Sequence, residues 1–502
     1  MKKIKLTLLI LSVISSTFSR AQDVYWNQFR GPNSCGVAAN SEKPPIKFGE
    51  DENLLWKIEL PNGSSSPVIW EDKIYLTAFV VEKKELQTIC IDKASGRVLW
   101  TDSVIPGNFE KNHAISSPAQ ATVTVDDTGV FSYFASSGIK YFDHDGNLQW
   151  EFPLAIKGRV LYGHPSSPVI IDNKLIVSVD YGGKKKRCLL ALNKNTGETI
   201  WKSMTGENTP IVHHGFPGYS TPVRFGNQII VHRAGGIASY SLSDGTPIWW
   251  FPVLTNGVGT PVVKNNIVYT GAWSEFSEEE RRGEYFEYES FELLLNDFDT
   301  NRNKLIEADE IPDTMMVFTR PEIGDIKDSQ VSVKKAFKYM DKDKNNSIDK
   351  TEWDNIFKKY SQYVTDLGFL ALPTNKTGEL TEDDVIWMHD QKNPEVPSPL
   401  LYKSCIYFIK NGGWVTCADA KTGKTYYQEK LGPPGACIAS PILANDHIYL
   451  SAYNGRIMVI KTGKKPHIIS ETRLEGKITA TPAISSNKLY VRTSQYLYAF
   501  GQ

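Results

Sequence analysis

The sequence predicts an all-β fold, an eight-bladed β-propeller with a small helical insertion in its fifth blade. Three observations carry this prediction. A unit of about four short strands recurs eight times, most units contain a turn glycine followed by an aromatic residue, and one unit is about a hundred residues too long. Because a four-stranded unit of this length cannot bury both of its faces alone, the units must stack around an axis and close into a ring.

The first landmark of the repeat is a hydroxyl residue followed by proline, ahead of a β-rich run. Proline suits the first residue of a strand, where its missing N–H breaks no ladder bond. Successive pairs lie between 39 and 54 residues apart, except for one gap of 138 residues. The eight pairs are Ser66-Pro67, Ser117-Pro118, Ser167-Pro168, Thr221-Pro222, Thr260-Pro261, Ser398-Pro399, Ser440-Pro441 and Thr481-Pro482. We expect their hydroxyl residues to gather around a crowded axis, which indicates a role in packing first.

The second landmark is a glycine with an aromatic residue four positions later. Such a glycine accepts the positive φ of a tight turn, and the aromatic side chain is expected between neighbouring sheets. The pairs are Gly96 and Trp100, Gly146 and Trp150, Gly197 and Trp201, Gly245 and Trp249, and Gly423 and Tyr427.

The last unit ends without an outer strand, and residues 53–60 can supply it and fasten the ring. This organisation divides the chain into five parts. Residues 1–21 form a signal peptide, residues 22–52 pack on the propeller, and residues 53–274 hold the closing strand, blades 1 to 4 and the first part of blade 5. Residues 275–375 form the insertion, and residues 376–502 complete blades 5 to 8.

The signal peptide is predicted from a basic start, an apolar stretch and small residues at a cleavage site (Lys2, Lys3 and Lys5; Leu8 to Ile14; Ser19 and Ala21). We therefore expect a periplasmic or secreted protein that starts at Gln22. A retained N-terminal anchor is the alternative. The apolar stretch is short for a membrane span, and no later run approaches the ~20 apolar residues of one, so no transmembrane segment is predicted.

Composition narrows the class of partner. The 502 residues carry 56 Lys and Arg against 57 Asp and Glu, a net charge of -1, and 41% are hydrophobic. This composition excludes a disordered chain and provides no basic field for phosphates, so we expect no nucleic-acid partner. The six cysteines lack metal-ligand spacing and are expected to be buried and structural: Cys35, Cys90, Cys188, Cys405, Cys417 and Cys437.

In the long gap, helical periodicity replaces strand alternation. Apolar residues at helical spacing precede two twelve-residue segments, which predicts two helix–loop–helix units. Each segment offers oxygen donors at positions 1, 3, 5, 7, 9 and 12, where a calcium ion needs them. The first set is Asp299, Asn301, Asn303, the Leu305 carbonyl, Glu307 and Glu310. The second set is Asp341, Asp343, Asn345, the Ser347 carbonyl, Asp349 and Glu352.

The two segments resemble a paired EF-hand, which implies two calcium ions. Ile306 and Ile348 stand at position 8 of each loop, where paired loops form a short two-stranded sheet. Position 6, usually glycine, is Lys304 in the first loop and Asn346 in the second. A left-handed lysine costs about 1–2 kcal/mol, so we expect the second site to bind more tightly. A structural role for calcium is favoured over a sensing role, since a ligand of the native state stabilises it.

Two blade sequences, CIDKASGRVLW over residues 90–100 and ALNKNTGETIW over residues 191–201, resemble the A-x-D-x-x-T-G-x-x-x-W repeat of pyrroloquinoline quinone (PQQ)-type propellers. Together with WNQFRGPN over residues 26–33, they make the chain similar to PQQ-like β-propeller repeat proteins. This resemblance implies two alternatives. One is a non-catalytic binding or assembly scaffold, like the propeller subunit of the bacterial outer-membrane assembly machinery. The other is a PQQ-dependent quinoprotein oxidoreductase acting on alcohols or sugars.

The chain lacks the adjacent cysteine pair of the quinoprotein dehydrogenases, so the scaffold is favoured and no catalytic or cofactor-binding residue is assigned. Calcium is the expected cofactor, with PQQ kept as the alternative. We expect a monomer that binds a protein or a small molecule at a propeller face. A cluster at one mouth could bind an anion, a metal or a substrate, although loop histidines more often bridge blades: His113, His164, His213 and His214, joined by Arg30 and Arg233.

Overall fold

The computed structural model describes residues 25–109, 115–154, 162–180, 187–204, 218–273, 287–288, 290–323, 330–360 and 368–502. The predicted signal peptide and His113, His213 and His214 lie outside these ranges. Among the helices within them, none is long and apolar enough to cross a membrane.

Eight antiparallel sheets form the blades of a propeller. The first strands of neighbouring blades contact one another, so they surround the axis. Blades 1 to 4 contain, from the axis outward, Val68–Trp70, Lys73–Val80, Glu85–Asp92 and Val98–Val104; Thr124–Asp126, Gly129–Phe134, Gly138–Phe142 and Leu148–Pro153; Val169–Ile171, Lys174–Asp180, Arg187–Asn193 and Thr199–Met204; and Val223–Phe225, Gln228–Arg233, Gly236–Ser241 and Pro247–Pro252. The short strand Gly378–Glu379 adds to the outer edge of blade 4 in parallel.

Blades 5 to 8 follow the same order and complete the ring. They contain Val262–Lys264, Ile267–Gly271, Phe369–Pro373 and Trp387–His389; Leu400–Tyr402, Cys405–Lys410, Trp414–Asp419 and Thr425–Lys430; Ile442–Ala444, His447–Ser451, Arg456–Lys461 and Ile468–Arg473; and Ala483–Ser485, Lys488–Arg492, Tyr496–Phe500 and Leu54–Glu59. The outer strand of blade 8 therefore comes from the N-terminal part of the chain, and it pairs antiparallel with Tyr496–Phe500.

Burial falls from the middle of each sheet to its outer edge. In blade 2 every residue of Gly129–Phe134 is buried, whereas Leu148–Pro153 alternates between exposed and half-buried residues. A sheet packed on both faces needs continuous apolar runs, while an edge strand at the surface does not. Five of the six cysteines are buried, Cys35 is half-buried, and all six are free thiols.

The tryptophans of the repeat join adjacent blades. In the outer strand of blade 1, Trp100 donates a hydrogen bond from Nε1 to the carbonyl of His144, 3.1 Å away in blade 2. The turn glycine Gly146 lies against the same indole, since a Cβ atom there would come within 2.8 Å of it. The aromatic residue and the turn glycine that touch each other therefore belong to neighbouring blades and not to one unit. The pairs are Trp56 with Gly96, Trp100 with Gly146, Trp150 with Gly197, Trp201 with Gly245, and Trp387 with Gly423.

The insertion replaces the turn between the second and third strands of blade 5. Gly271 and Phe369 are paired partners in that sheet, so the chain leaves and re-enters the blade at one point. The sequence-based boundary at residue 375 is too late, because Phe369–Pro373 is a strand of the blade itself. The helices of the insertion are α1 (Phe291–Phe298), α2 (Val333–Met340) and α3 (Lys350–Tyr360). Its short strands are Ile306–Glu307, Met316–Thr319, Gln330–Ser332 and Ser347–Ile348.

The prediction of two helix–loop–helix units is wrong for the first loop. The second loop lies between α2 and α3, but the first loop is followed by Met316–Thr319, a strand that pairs with Gln330–Ser332. Pro312 stands two residues after the last donor position, and proline both lacks an N–H and disfavours helix in the residue before it. The helix that should leave the first loop therefore cannot start.

Candidate functional site

A closed ring of hydrogen bonds surrounds the propeller axis. One hydroxyl residue per blade accepts a bond from the backbone N–H of the preceding member, at N···O distances of 2.9 to 3.2 Å. The members are Ser66, Thr122, Ser167, Thr221, Thr260, Ser398, Ser440 and Thr481, whose N–H returns to Ser66. The ring satisfies backbone donors that have no strand partner on the axial side.

One of the predicted members is wrong. In blade 2 the ring residue is Thr122, whereas the Ser117 hydroxyl accepts a bond from the N–H of Ala119 in the preceding loop. Thr122 is followed by Val123 and not by proline, so a search for hydroxyl–proline pairs selects Ser117 instead. The β-rich run that begins at Val123 was the signal that could have identified it.

The N-terminal segment, residues 25–38, lies along the inner strands. The carbonyl of Trp26 accepts a bond from the N–H of Ile69 in blade 1, and the carbonyl of Asn27 accepts one from Val125 in blade 2. Across the ring, Asn33 exchanges hydrogen bonds with the backbone of Arg224 in blade 4, and the N–H of Leu443 in blade 7 donates to the carbonyl of Gly36. The segment therefore crosses the axis and caps free edges of the innermost strands.

Arg30 is the centre of this segment rather than part of an open mouth. Its guanidinium is fully buried and donates to the carbonyls of Ser34 at 2.9 Å and Pro399 at 2.6 Å. Burial lowers the pKa of Arg30 to about 10, so the side chain is still charged at neutral pH. Of its predicted neighbours, His164 and Arg233 lie within the described residues and both are buried.

His232 is a buried histidine that the sequence did not indicate. Its Nδ1 lies 3.0 Å from the Gly259 carbonyl, and its Nε2 lies 2.8 Å from the Thr255 hydroxyl. Burial lowers the pKa of His232 to about 4, which keeps the imidazole neutral at neutral pH. Both ring nitrogens are used in holding loops together, a structural role.

The second loop of the insertion brings three carboxylates together. One oxygen each from Asp341, Asp343 and Glu352 lies within 4.8 Å of the others, and no other such group of His, Cys, Asp or Glu occurs in the described part of the chain. Asp341 and Glu352 are each only 8% exposed, while Asp343 faces solvent. Buried carboxylates at this spacing offer a hard, oxygen-lined position for a divalent cation.

The backbone of the second loop shapes this position. Asn346 adopts the left-handed conformation, with φ 66°, and its N–H donates to the Asp341 carboxylate. The Asn345 side-chain oxygen accepts from the N–H of Ser347, and the Asp349 carboxylate accepts from the N–H of Glu352 at the start of α3. Three of the six predicted oxygen donors thus converge. Asn345, Ser347 and Asp349 are held beside them by hydrogen bonds within the loop.

The first loop is arranged differently. The amide groups of Asn301 and Asn303 both donate to the carboxylate of Glu307, and the Asp299 carboxylate accepts from the N–H groups of Asn303 and Lys304. The N–H of Leu305 donates to the side chain of Asn303. The bonds to Asp299 and from Leu305 have counterparts in the second loop, so the difference between the loops lies in the two side-chain amides that hold the Glu307 carboxylate.

The Glu310 carboxylate closes the first loop by accepting hydrogen bonds from backbone N–H groups of that loop. Burial raises the pKa of Glu310, but hydrogen bonds from Glu307 and Thr300 outweigh that effect and bring it to about 2. Lys304 has the left-handed conformation at position 6, with φ 65°. The two loops are joined by the pairing of Ile306 with Ile348, as position 8 predicts.

Arg320 ties the insertion to the propeller. It follows the strand Met316–Thr319, forms an ion pair with Glu395 in the connection between blades 5 and 6, and lies 4.9 Å from the ring of Trp273. Glu395 also accepts a bond from Asn411, whose side-chain oxygen accepts from the N–H of Cys437. The insertion is therefore connected to two blades through a partly buried polar network.

The ring of eight blades defines an eight-bladed β-propeller, whose repeats resemble those of PQQ-like propellers. A family model described as outer membrane protein assembly factor BamB matches residues 48–186 and 184–282. BamB from Moranella endobia (strain PCIT) is 29% identical over 201 residues, which cover 37% of this chain and 47% of that protein. The chain therefore matches about half the length of this curated relative.

Solved structures agree on the fold. BamB from Moraxella catarrhalis has a TM-score of 0.52 at 12% identity, covering 89% of this chain and 97% of that one. A europium-containing methanol dehydrogenase has a TM-score of 0.57 at 9% identity, covering 95% and 98%. Quinohemoprotein alcohol dehydrogenase from Comamonas testosteroni has a TM-score of 0.56 at 9% identity, covering 95% and 81%. At such identities the likeness concerns the fold alone.

Proposed function

We propose that this protein is an exported, calcium-binding scaffold that acts in the assembly of outer-membrane proteins without catalysing a reaction. The observation that carries the proposal is the match in sequence: a BamB family model matches residues 48–186 and 184–282 and a BamB is 29% identical over 201 residues, whereas the dehydrogenases resemble the chain in fold alone. Function follows the residues of a site and not the architecture that holds it. Shared sequence in the blades therefore favours the scaffold.

The calcium part of the proposal concerns the second loop of the EF-hand-like insertion. Asp341, Asp343 and Glu352 supply the convergent carboxylates, and calcium prefers six to eight oxygen ligands in such a flexible shell. Asn345, the Ser347 carbonyl and Asp349 complete the expected set. A bound ion would hold α2 and α3 together and stabilise the insertion by mass action.

Isothermal titration of chelator-treated protein with calcium tests this site. We expect saturable binding whose tighter phase disappears in Glu352→Gln, since that change removes a charged ligand at position 12. The matched variant Glu310→Gln alters the same position of the first loop and should leave the tighter phase intact. A flat titration of the unaltered protein would contradict the proposal.

In-cell cross-linking followed by purification of the tagged chain tests the scaffold. We expect proteins of the outer-membrane assembly machinery to be recovered, and recovery that does not exceed that of a tagged, unrelated exported protein would count against the proposal. Incubation with PQQ and calcium tests the alternative, because a quinoprotein should gain quinone absorbance and reduce a dye with alcohols or sugars.

The residues around the propeller axis do not favour the alternative function, a PQQ-dependent oxidoreductase. In the described residues, the inner strands present a ring of hydroxyl groups and the Arg30 segment, and the one carboxylate cluster lies on the insertion. A calcium ion beside a quinone would need several oxygen ligands, of which carboxylates are the charged ones. This arrangement favours the scaffold, and we assign no reaction step to a quinone.

A further inference from the structure

The outer strand of a blade has one edge that faces away from the rest of its sheet. In the described part of the chain, seven of the eight outer strands have no partner at that edge, while Gly378–Glu379 covers it in blade 4. Along a free edge, the N–H and C=O groups of alternate residues point away from the sheet. Such an edge can pair with a strand of another polypeptide unless charged side chains, proline, a short length or a cover prevents it.

Most of the outer strands carry one of these protections. The strand of blade 4 is covered and has proline at both ends, Pro247 and Pro252, and the strand of blade 5 has only three residues, Trp387–His389. Five others carry at least one exposed charged residue: Glu151 in blade 2, Lys202 in blade 3, Lys430 in blade 6, Arg473 in blade 7 and Glu59 in blade 8.

Among the described outer strands, Val98–Val104 of blade 1 is the one without any of these protections. It is also the longest, with seven residues. Its single charged residue, Asp102, is half-buried and already paired, since its Oδ2 lies 2.8 Å from the Nζ of Lys140 in blade 2. The position after the aromatic landmark is Thr101 here, whereas the same position is charged in three other blades, as Glu151, Lys202 and Lys57.

The edge of blade 1 is also open to solvent along its length. Val98 and Leu99 at its start are 47% and 39% exposed, and Ile105, which follows its end, is 67% exposed. Thr101 and Ser103 between them are exposed as well. Large aliphatic side chains left exposed beside an unprotected edge indicate a surface that another polypeptide covers.

The two faces of this strand determine the chemistry of the segment that fits beside it. Trp100, Asp102 and Val104 lie on the face toward blade 2, where Trp100 donates to the His144 carbonyl. Thr101 and Ser103 lie on the other face. A strand added at the edge would therefore place apolar side chains beside Trp100 and Val104, and polar side chains on its other face. Because Asp102 is already paired, a charge on the added strand would gain no partner there.

We propose that Val98–Val104 binds an extended, uncharged segment of another protein by β-strand addition, and that aliphatic and small polar residues alternate in this segment. Hydrogen bonds between the two backbones supply the affinity, and the alternation supplies the specificity. The inference goes beyond the proposed function, because it requires neither a calcium ion nor a component of the assembly machinery.

Fluorescence anisotropy with labelled peptides tests the edge in the full-length protein. The probe Thr-Val-Ser-Val-Gln-Val-Thr carries the alternation and no charged side chain. We expect it to bind at least about tenfold more tightly than either of two control peptides. Val-Val-Val-Thr-Thr-Ser-Gln has the same composition without the alternation, and Thr-Val-Pro-Val-Pro-Val-Thr keeps the valines but has prolines that cannot donate to a ladder.

Thr101→Lys is the variant that protects the edge. Lysine already stands at the equivalent position of blades 3 and 8, as Lys202 and Lys57, so the variant should fold. A lysine on an edge strand opposes pairing, and we expect the affinity for the probe to fall at least about tenfold. Thr199→Lys is the matched control, because Thr199 is an exposed threonine on the outer strand of blade 3, whose edge already carries Lys202. It should leave the affinity unchanged.

Hydrogen exchange measured by mass spectrometry locates the bound peptide. We expect the probe to slow exchange in a fragment that covers residues 98–104, and the proline peptide to leave it unchanged, because hydrogen-bonded amides exchange slowly. Absence of binding, equal binding of the peptide without the alternation, or binding that does not protect this strand would overturn the inference. So would a dimer, seen by sedimentation, that Thr101→Lys dissociates, because a second copy would then be the occupant.

Discussion

At the scale of single residues, the Thr122 hydroxyl shows how the ring depends on each of its members. It accepts the N–H of Ser66 at 2.9 Å, and both groups are buried. We expect Thr122→Val to lower the free energy of unfolding by about 1–3 kcal/mol, because a buried donor loses its acceptor without a change in shape. Thr122→Ser keeps the hydroxyl and should retain most of the stability. Urea unfolding would measure both, and a loss in Thr122→Ser as large as that in Thr122→Val would contradict a dominant role for the hydroxyl.

His232 makes a second residue-scale prediction, this time about pH. Its folded-state pKa of about 4 lies below the ordinary value of 6.5, so the unfolded chain binds a proton at pH values where the native protein does not. Stability should therefore fall as pH decreases from about 6.5 to about 4, by about 3 kcal/mol for this group. His232→Gln should make that decline shallower than in the unaltered protein. An identical pH dependence in urea titrations would contradict this explanation.

At the scale of elements, the turn glycines show where neighbouring blades touch. Gly146 has φ 90° and lies against the indole of Trp100, whereas Gly226 has φ 58° with no heavy atom within 4 Å of an added Cβ. Gly226→Ala should cost about 1–2 kcal/mol from the backbone alone. Gly146→Ala should cost more, because its methyl group would also displace the indole. Similar losses for both variants in urea unfolding would show that the contact across blades adds little.

The elements also show what pattern reasoning can and cannot supply. Repeat spacing and strand alternation predicted eight blades, because most blades are specified locally by a proline at the first strand, a turn glycine and an aromatic residue. Thr122 escaped prediction because valine and not proline follows it, so the hydroxyl–proline pattern selected Ser117 instead. The sequence did contain a signal against a helix after the first loop, Pro312. The prediction followed the spacing of the oxygen donors instead. The carboxylate cluster was predictable because all its members lie within twelve residues.

At the scale of the whole molecule, the insertion is predicted to be separable from the ring. The N–H of Ala272 donates to the carbonyl of Gly368 at 2.8 Å, so a two-residue turn can span the gap. Replacing residues 273–367 by Asn-Gly should preserve the β-sheet circular dichroism and cooperative unfolding, and abolish calcium binding. Glu395→Gln should accompany the deletion, because Glu395 loses the charge of Arg320. An insoluble product would show that the propeller requires the insertion.

The closing strand has a consequence for how the molecule is made. Leu54–Glu59 is synthesised before any of the eight blades, yet its partner Tyr496–Phe500 is synthesised only after the first seven. Until then the nascent chain is an open arc with one unpaired sheet edge at each end, the kind of surface that invites aggregation. A chain that stops before Tyr496 would leave the first seven blades complete and the arc unsealed. The period before this strand pairs is therefore when the chain is most exposed to aggregation, however stable the finished ring is.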